Sequence, residues 1–215
     1  MKVAAIKHDL SEKVDQYFNT INEAASISDI VLGPEYALID LSEDVIREKL
    51  SKISNRYKDT YIIPGTFLMN YSKDEVAMSA PIFYEGKFID YILKKSDIND
   101  SQIALDRTGK RLHTANRSEM DKIFKKDSTS FRIYICADQG RYPLESTDLE
   151  LITSYDLANG FHFHPSSVLE KRNIIGSDSQ TRRTFGVNYN PSKSNVYSEI
   201  PHKELKNYTI FSKFR

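Results

Sequence analysis

The stretch Ile30-Val31-Leu32-Gly33-Pro34-Glu35 sets the frame for the chain. Three apolar residues stopped by glycine and proline describe a short strand that ends abruptly in a carboxylate. The segments on either side agree with it. Val3 to Ile6 reads as a first, buried strand, and Ser11 opens a helix whose Val14, Tyr17, Phe18, Ile21 and Ala25 share one stripe. Beyond Glu35, Ser42 caps a second helix with Val45, Ile46, Leu50, Ile53 and Tyr57 on one stripe. Tyr61 to Ile63 is a third strand, broken by Pro64-Gly65. This β-α-β-α-β order predicts an α/β (α+β) fold.

The period then changes. Val76 to Tyr84 and Lys87 to Leu93 flank Glu85-Gly86, which predicts a β-hairpin. Residues 96–130 read as polar and irregular, with a short helix near Arg117 to Phe124. A loop of that length in a compact domain tends to be functional or disordered. Phe131-Arg132-Ile133-Tyr134-Ile135-Cys136-Ala137-Asp138 follows as an alternating strand. Strand alternation puts Cys136 on the face of Arg132 and Tyr134, at the C-terminal end where open α/β sheets bind ligands. Further strands are expected at Leu149 to Thr153, Thr184 to Tyr189 and Tyr208 to Phe211. A helix is expected from Ser166 or Ser167 to about Ile175. Residues 1–215 read as one domain without internal repeats or a linker.

Composition narrows the function classes. Thirty basic and thirty acidic side chains cancel, which removes the electrostatic footprint of a nucleic-acid binder. No apolar run approaches the roughly 20 residues that span a bilayer, and Met1 to Ile6 reads as a strand rather than a signal segment. A single cysteine cannot form an internal disulfide, so the sequence is read as cytoplasmic. Cys136 is then either a small buried hydrophobe or a chemical group.

Three strands end in a polar residue: Glu35, Lys95 and Cys136. A thiol with the usual pKa of about 8.5 needs a base to become a nucleophile, and a buried carboxylate can serve. A lysine ammonium can stabilise the oxyanion of acyl transfer. The three make a complete set for amide-type hydrolysis. Each residue also has a plain structural meaning. Glu35 after Pro34 can start a helix, and Lys94-Lys95 can be a solvated strand edge. Asp138 can pair with Arg141. His162 and His164 share a strand face, but no thiol or carboxylate nearby completes a metal site, so no metal is expected. Arg172, Arg182 and Arg183 read as solvated surface.

The motifs resemble those of the nitrilase (carbon–nitrogen hydrolase) superfamily. Ile30 to Leu38 is similar to its first motif, an apolar strand followed by Pro-Glu. Tyr91-Ile92-Leu93-Lys94-Lys95-Ser96-Asp97-Ile98 resembles the second, in which Lys94 matches the family's arginine and Asp97 stands where histidine is common. Tyr134-Ile135-Cys136-Ala137-Asp138, with Arg141-Tyr142-Pro143 and Glu145, resembles the third, with Gln139-Gly140 adding a residue and Ala137 replacing an aromatic. Sixty residues separate Glu35 from Lys95, and 41 separate Lys95 from Cys136. The resemblance spans about residues 1–190 and implies a four-layer α-β-β-α sandwich. It also implies a Cys136–Glu35–Lys95 triad, a thioester intermediate and an oxyanion donor at the Ala137 N–H. The choice of Lys95 over Lys94 turns on one residue of register. Glu119 is the candidate for the family's auxiliary glutamate, and Tyr36, Asp138 and Tyr155 are candidate pocket residues. The resemblance further implies a small-molecule amide substrate in preference to a nitrile, no cofactor, and a homodimer with a reduced C-terminal contribution. The alternatives are a catalytically retired binding or assembly subunit and, third, an N-acyltransferase.

Overall fold

Three short parallel strands form the centre of the first sheet: β1 (Lys2–Ile6), β2 (Ile30–Leu32) and β3 (Tyr61–Ile63). The computed structural model describes residues 1–95, 98–138, 147–155, 172–189 and 197–213. Every residue of β2 and β3 is buried, because both faces of these strands are covered. Ala4, Val31 and Ile62 face α1 (Val14–Ala25) and α2 (Glu43–Arg56), whose Tyr17, Phe18, Ile21, Ile46, Leu50 and Ile53 close that side. Val3, Ala5, Ile30, Leu32 and Ile63 face the other way, into a second sheet. Each such fully buried Val, Leu or Ile side chain contributes roughly 1.5–3 kcal/mol relative to exposure.

The first sheet continues antiparallel. β5 (Glu75–Tyr84) pairs with β3, with β4 (Phe67–Asn70) and with β6 (Lys87–Leu93), and runs parallel to β7 (Arg111–Leu112). The β5–β6 turn is Glu85-Gly86, with φ of 52° and 76° at the two positions, as a tight hairpin of matching twist requires. The second sheet contains β8 (Ile123–Lys126), β9 (Thr129–Ile135), β10 (Leu149–Ser154), β11 (Arg172–Asp178), β12 (Arg183–Tyr189) and β13 (Tyr197–Glu199). Its β9, β10 and β11 are parallel. β14 (His202–Glu204) and β15 (Tyr208–Ser212) return to the first sheet, where β15 pairs with β1.

Phe131, Ile133, Ile135, Leu149, Leu151 and Ile175 of the second sheet meet Ile30, Leu32, Ile82 and Ile92 of the first in one inter-sheet core. The outer face of the second sheet carries Tyr134, Ile152 and Ile174. The two sheets also meet at the C-terminal ends of their parallel strands. The Ser177 hydroxyl donates to the Ile6 carbonyl at 2.6 Å, and the Glu35 N–H donates to the Ser154 carbonyl at 3.1 Å. This edge collects the residues at the ends of β2, β6 and β9. Among the described residues no helix is long and apolar enough to cross a membrane.

Several expectations change. The first helix starts at Val14 after Lys13, while the Ser11 N–H is taken by Asp9. Ser42 does cap α2, accepting from the Val45 N–H. Residues 96–130 are not one irregular loop. They hold α3 (Ile98–Thr108), β7, α4 (Arg117–Met120) and β8. The segment expected to end a helix near Ile175 is strand β11, in which Ile174 and Ile175 are buried on opposite faces. An apolar pair between two strand neighbours has the two-sided burial of a central strand, which helical stripes do not require. The rest of that expected helix lies outside the described residues, as do His162 and His164.

Candidate active site

The turn after β2 is locked before Glu35 is reached. The Gly33 N–H donates to the Ile63 carbonyl at 2.7 Å, and the Tyr17 hydroxyl donates to the Pro64 carbonyl at 2.8 Å. A side chain on Gly33 would collide with that hydroxyl and with the Pro64 main chain. Tyr36 takes the left-handed conformation, φ 62°, which a bulky residue adopts only when its surroundings impose it. Its N–H is held by the Thr66 hydroxyl at 2.8 Å. Glu35 is fixed between the sheets, with its N–H on Ser154 and its carbonyl accepting from the Ser179 hydroxyl at 2.9 Å. Its side chain is fully buried.

The lysine beside Glu35 is Lys94, not the expected Lys95. Strand alternation decides it: Ile92 points into the inter-sheet core, and Lys94, two residues on, points the same way. The Lys94 N–H extends the ladder to the Met78 carbonyl at 2.9 Å. Its ammonium lies 2.7 Å from Glu35 Oε1 and 2.6 Å from Asp100 Oδ2, with 2% of the side chain exposed. Lys95 is half-buried, and its main-chain N–H donates to Asp138 Oδ2 at 2.9 Å.

Asp100 is the residue that the sequence reading missed. It sits in the first turn of α3, fully buried, and accepts from the Tyr36 hydroxyl at 2.5 Å. Ala104, four residues on, shares the buried side of α3 with it. Glu119, the candidate auxiliary glutamate, is elsewhere. It closes the capping box of α4 and binds the Tyr71 hydroxyl and His113 Nε2 at 2.9 and 3.2 Å.

Cys136 departs from the strand alternation. β9 stops at Ile135, and Cys136–Asp138 form a 3-10 turn with φ 49° at Cys136. The side chain therefore packs against the inter-sheet core and not beside Tyr134 on the outer face. A non-glycine residue held at such φ costs of order 1–3 kcal/mol and persists where the surroundings over-determine it. The thiol faces the Glu35 carboxyl and the Tyr155 main chain, both close enough to shift its titration. The Tyr155 ring meets the Tyr36 ring edge-on, with centroids 5.1 Å apart. Ser96, Asp97, Gln139 to Glu145 and Asp156 to Gly160 lie outside the described residues.

Burial dominates the electrostatics. It raises Glu35 to about 7, with Lys94 pulling down and Asp100 pushing up. It raises the Cys136 thiol to about 12, with the Glu35 charge adding to the rise and Lys94 opposing it. Burial alone would discharge Lys94, but Glu35 and Asp100 hold it above the usual lysine range. A neutral thiol thus faces a carboxyl poised near neutrality, beside a permanent cation. That is the arrangement of a general base and its nucleophile. Among the described residues no group of three or more His, Cys, Asp or Glu side chains is placed to hold a metal ion.

No protein-family model matches the sequence, and no curated protein matches it. Solved structures do. A cysteine-to-alanine variant of the Nesterenkonia AN1 amidase from the nitrilase superfamily superposes with a TM-score of 0.69 at 10% identity, over 100% of this chain and 90% of that one. The same cysteine-to-alanine variant in complex with butyramide gives 0.71 at 10% identity, over 100% and 91%. A glutamate-to-glutamine variant carrying the Michael adduct of acrylamide on its active-site cysteine gives 0.70 at 11% identity, over 99% and 93%. At this identity the likeness is one of fold: the chain has the nitrilase-type fold, with two facing sheets and helices packed outside the first.

Proposed function

We propose that this nitrilase-fold chain is a thiol hydrolase of non-peptide C–N bonds, acting on small amides in preference to nitriles. The observation that carries the reading is the Cys136 side chain turned into the inter-sheet core toward a buried Glu35 carboxyl that is itself ion-paired with Lys94. Glu35 takes the thiol proton as sulfur attacks the amide carbon. Because the thiol is held high, proton transfer and attack run together rather than through a resting thiolate. The oxyanion is met by the Lys94 ammonium and the Ala137 N–H. Glu35 returns the proton to the leaving nitrogen, the C–N bond breaks, and an acyl thioester remains on Cys136. Water, deprotonated by Glu35, attacks the thioester. The C–S bond breaks, the carboxylic acid leaves and the sulfur is reprotonated.

The fold neighbours support an amide substrate, since one binds butyramide and one has its active-site cysteine modified by acrylamide. The test is ammonia release from butyramide, acetamide and the matching nitriles, with acyl-Cys136 sought by intact mass. Wild type should release ammonia from an amide, and Cys136→Ala should release none. Hydroxylamine as an added acceptor separates hydrolysis from acyl transfer. If wild type neither releases ammonia nor forms an acyl adduct, the reading is wrong, and binding or assembly takes its place.

A further inference from the structure

We infer that Asp138 is a positioning residue that sets which of the two adjacent lysines enters the site, by tying the nucleophile's turn to the main chain at Lys95. This rests on the reading of Cys136, Glu35 and Lys94 as the reacting set. Main-chain N–H groups alternate in direction along a strand. At the end of β6 the Lys94 N–H turns toward β5, onto Met78, and the Lys95 N–H turns away from it, onto Asp138 Oδ2. Asp138 is 4% exposed and closes the same 3-10 turn that holds Cys136 at φ 49°. One carboxylate therefore spans the two sheets, with the strained turn of the second at one end and the strand end bearing Lys94 at the other.

Farther back on the same strand, Lys122 makes a similar tie, from its ammonium to the Tyr91 carbonyl at 2.8 Å and to Asp90 at 2.6 Å. The end of β6 is thus gripped from the second sheet's side at two points, and Asp138 is the one next to the site. A one-residue slip there would exchange Lys94 for Lys95 and turn the ammonium away from Glu35. Losing the tie leaves the sequence of the triad intact and loosens its geometry, and a misplacement of about 1 Å can cost up to about 100-fold in rate.

The experiment compares Asp138→Ala with Asp138→Asn, since asparagine keeps an oxygen acceptor for the Lys95 N–H and removes only the charge. Three readouts are taken: iodoacetamide alkylation of Cys136, amide hydrogen exchange at Lys95, and kcat and KM on butyramide. In Asp138→Ala alkylation should slow by about 10-fold or more, because the Lys94 ammonium no longer favours the thiolate, and kcat should fall with KM little changed. Asp138→Asn should restore both to within about threefold of wild type. Alkylation of Asp138→Ala at or above the wild-type rate overturns the inference. So does an Asp138→Asn variant as impaired as Asp138→Ala, since the charge and not the tie would then matter. Should Asp138→Ala fail to fold, exchange in wild type decides: the Lys95 amide must be protected like the β6 amides, and free exchange overturns the inference. Wild type inactive on every amide, with the exchange and alkylation contrasts intact, would sink the hydrolase reading and leave the positioning role standing.

Discussion

The Lys94 ammonium lies 2.7 Å from the Glu35 carboxylate with 2% and none of the two side chains exposed, and Asp100 stands 2.6 Å away on its other side. Two carboxylates surround one buried cation, so removing the cation leaves both acids without a counter-charge. Lys94→Ala should therefore lose turnover and cost about 3–5 kcal/mol of stability. Lys95→Ala keeps the main-chain N–H that Asp138 uses, and should cost less than about 1 kcal/mol and retain most of the turnover. Urea unfolding and ammonia release on the two variants check this, and equal damage from both would refute the assignment of Lys94.

Glu35 acts on Cys136 in two opposed ways. In the proposed reaction it is the base that takes the proton, yet its charge holds the thiol up, while Lys94 pulls it down. Glu35→Gln should therefore lower amide turnover by about 100-fold or more and at the same time speed alkylation of Cys136 by acrylamide or iodoacetamide at pH 7–8. Rate measurements on one preparation separate the two effects. Alkylation slowed in step with turnover would mean that Glu35 is needed to form the nucleophile at all.

Asp100 pushes Glu35 upward as a like charge, against the pull of Lys94. In wild type, kcat/KM should rise with pH through about 7 as Glu35 becomes the ionised base. Asp100→Asn removes the like charge and leaves the cation, so the acid limb should move to lower pH even though the maximal rate falls. A pH profile of kcat/KM shows this directly. A limb that stays in place or moves upward would remove Asp100 from the electrostatics of the base.

The β-α-β-α-β half was legible because glycine, proline and apolar stripes punctuate it, and the positions of Glu35 and Cys136 at strand ends came with it. The choice between Lys94 and Lys95 was not, because β6 shows two similar faces. Ile89, Tyr91 and Leu93 make the Lys95 side look like the core side, whereas the inter-sheet core receives Ile92, and a register shift at Ile89 turns Phe88 to the side of Tyr91. Tyr91 spends its apolar surface on Phe88 and Phe67, and its hydroxyl on Glu43. The turn of Cys136 into the core was hidden for another reason: a positive φ at a cysteine has no sequence signal, unlike one at glycine. Asp100 was hidden because a single buried acid in a short helix resembles any first-turn carboxylate.

The same burial that makes Glu35 a base at neutral pH has a cost in folding. Its folded value, about 7, is above the ordinary 4.5, so the native state binds this proton more tightly than the unfolded chain does. The contribution is fully present below about 4.5 and is lost as pH rises through about 7. From there upward the native state carries an ionised, buried carboxylate. A shift of this size corresponds to roughly 3 kcal/mol. Glu35→Gln abolishes the titration while leaving Lys94 paired with Asp100. The stability of Glu35→Gln relative to wild type should therefore increase steadily between pH 5 and pH 8 and level off above. Melting temperatures of both proteins across that range test it. A difference that stays constant, or shrinks with pH, would show that Glu35 is already ionised at pH 5 and is not held up by its burial.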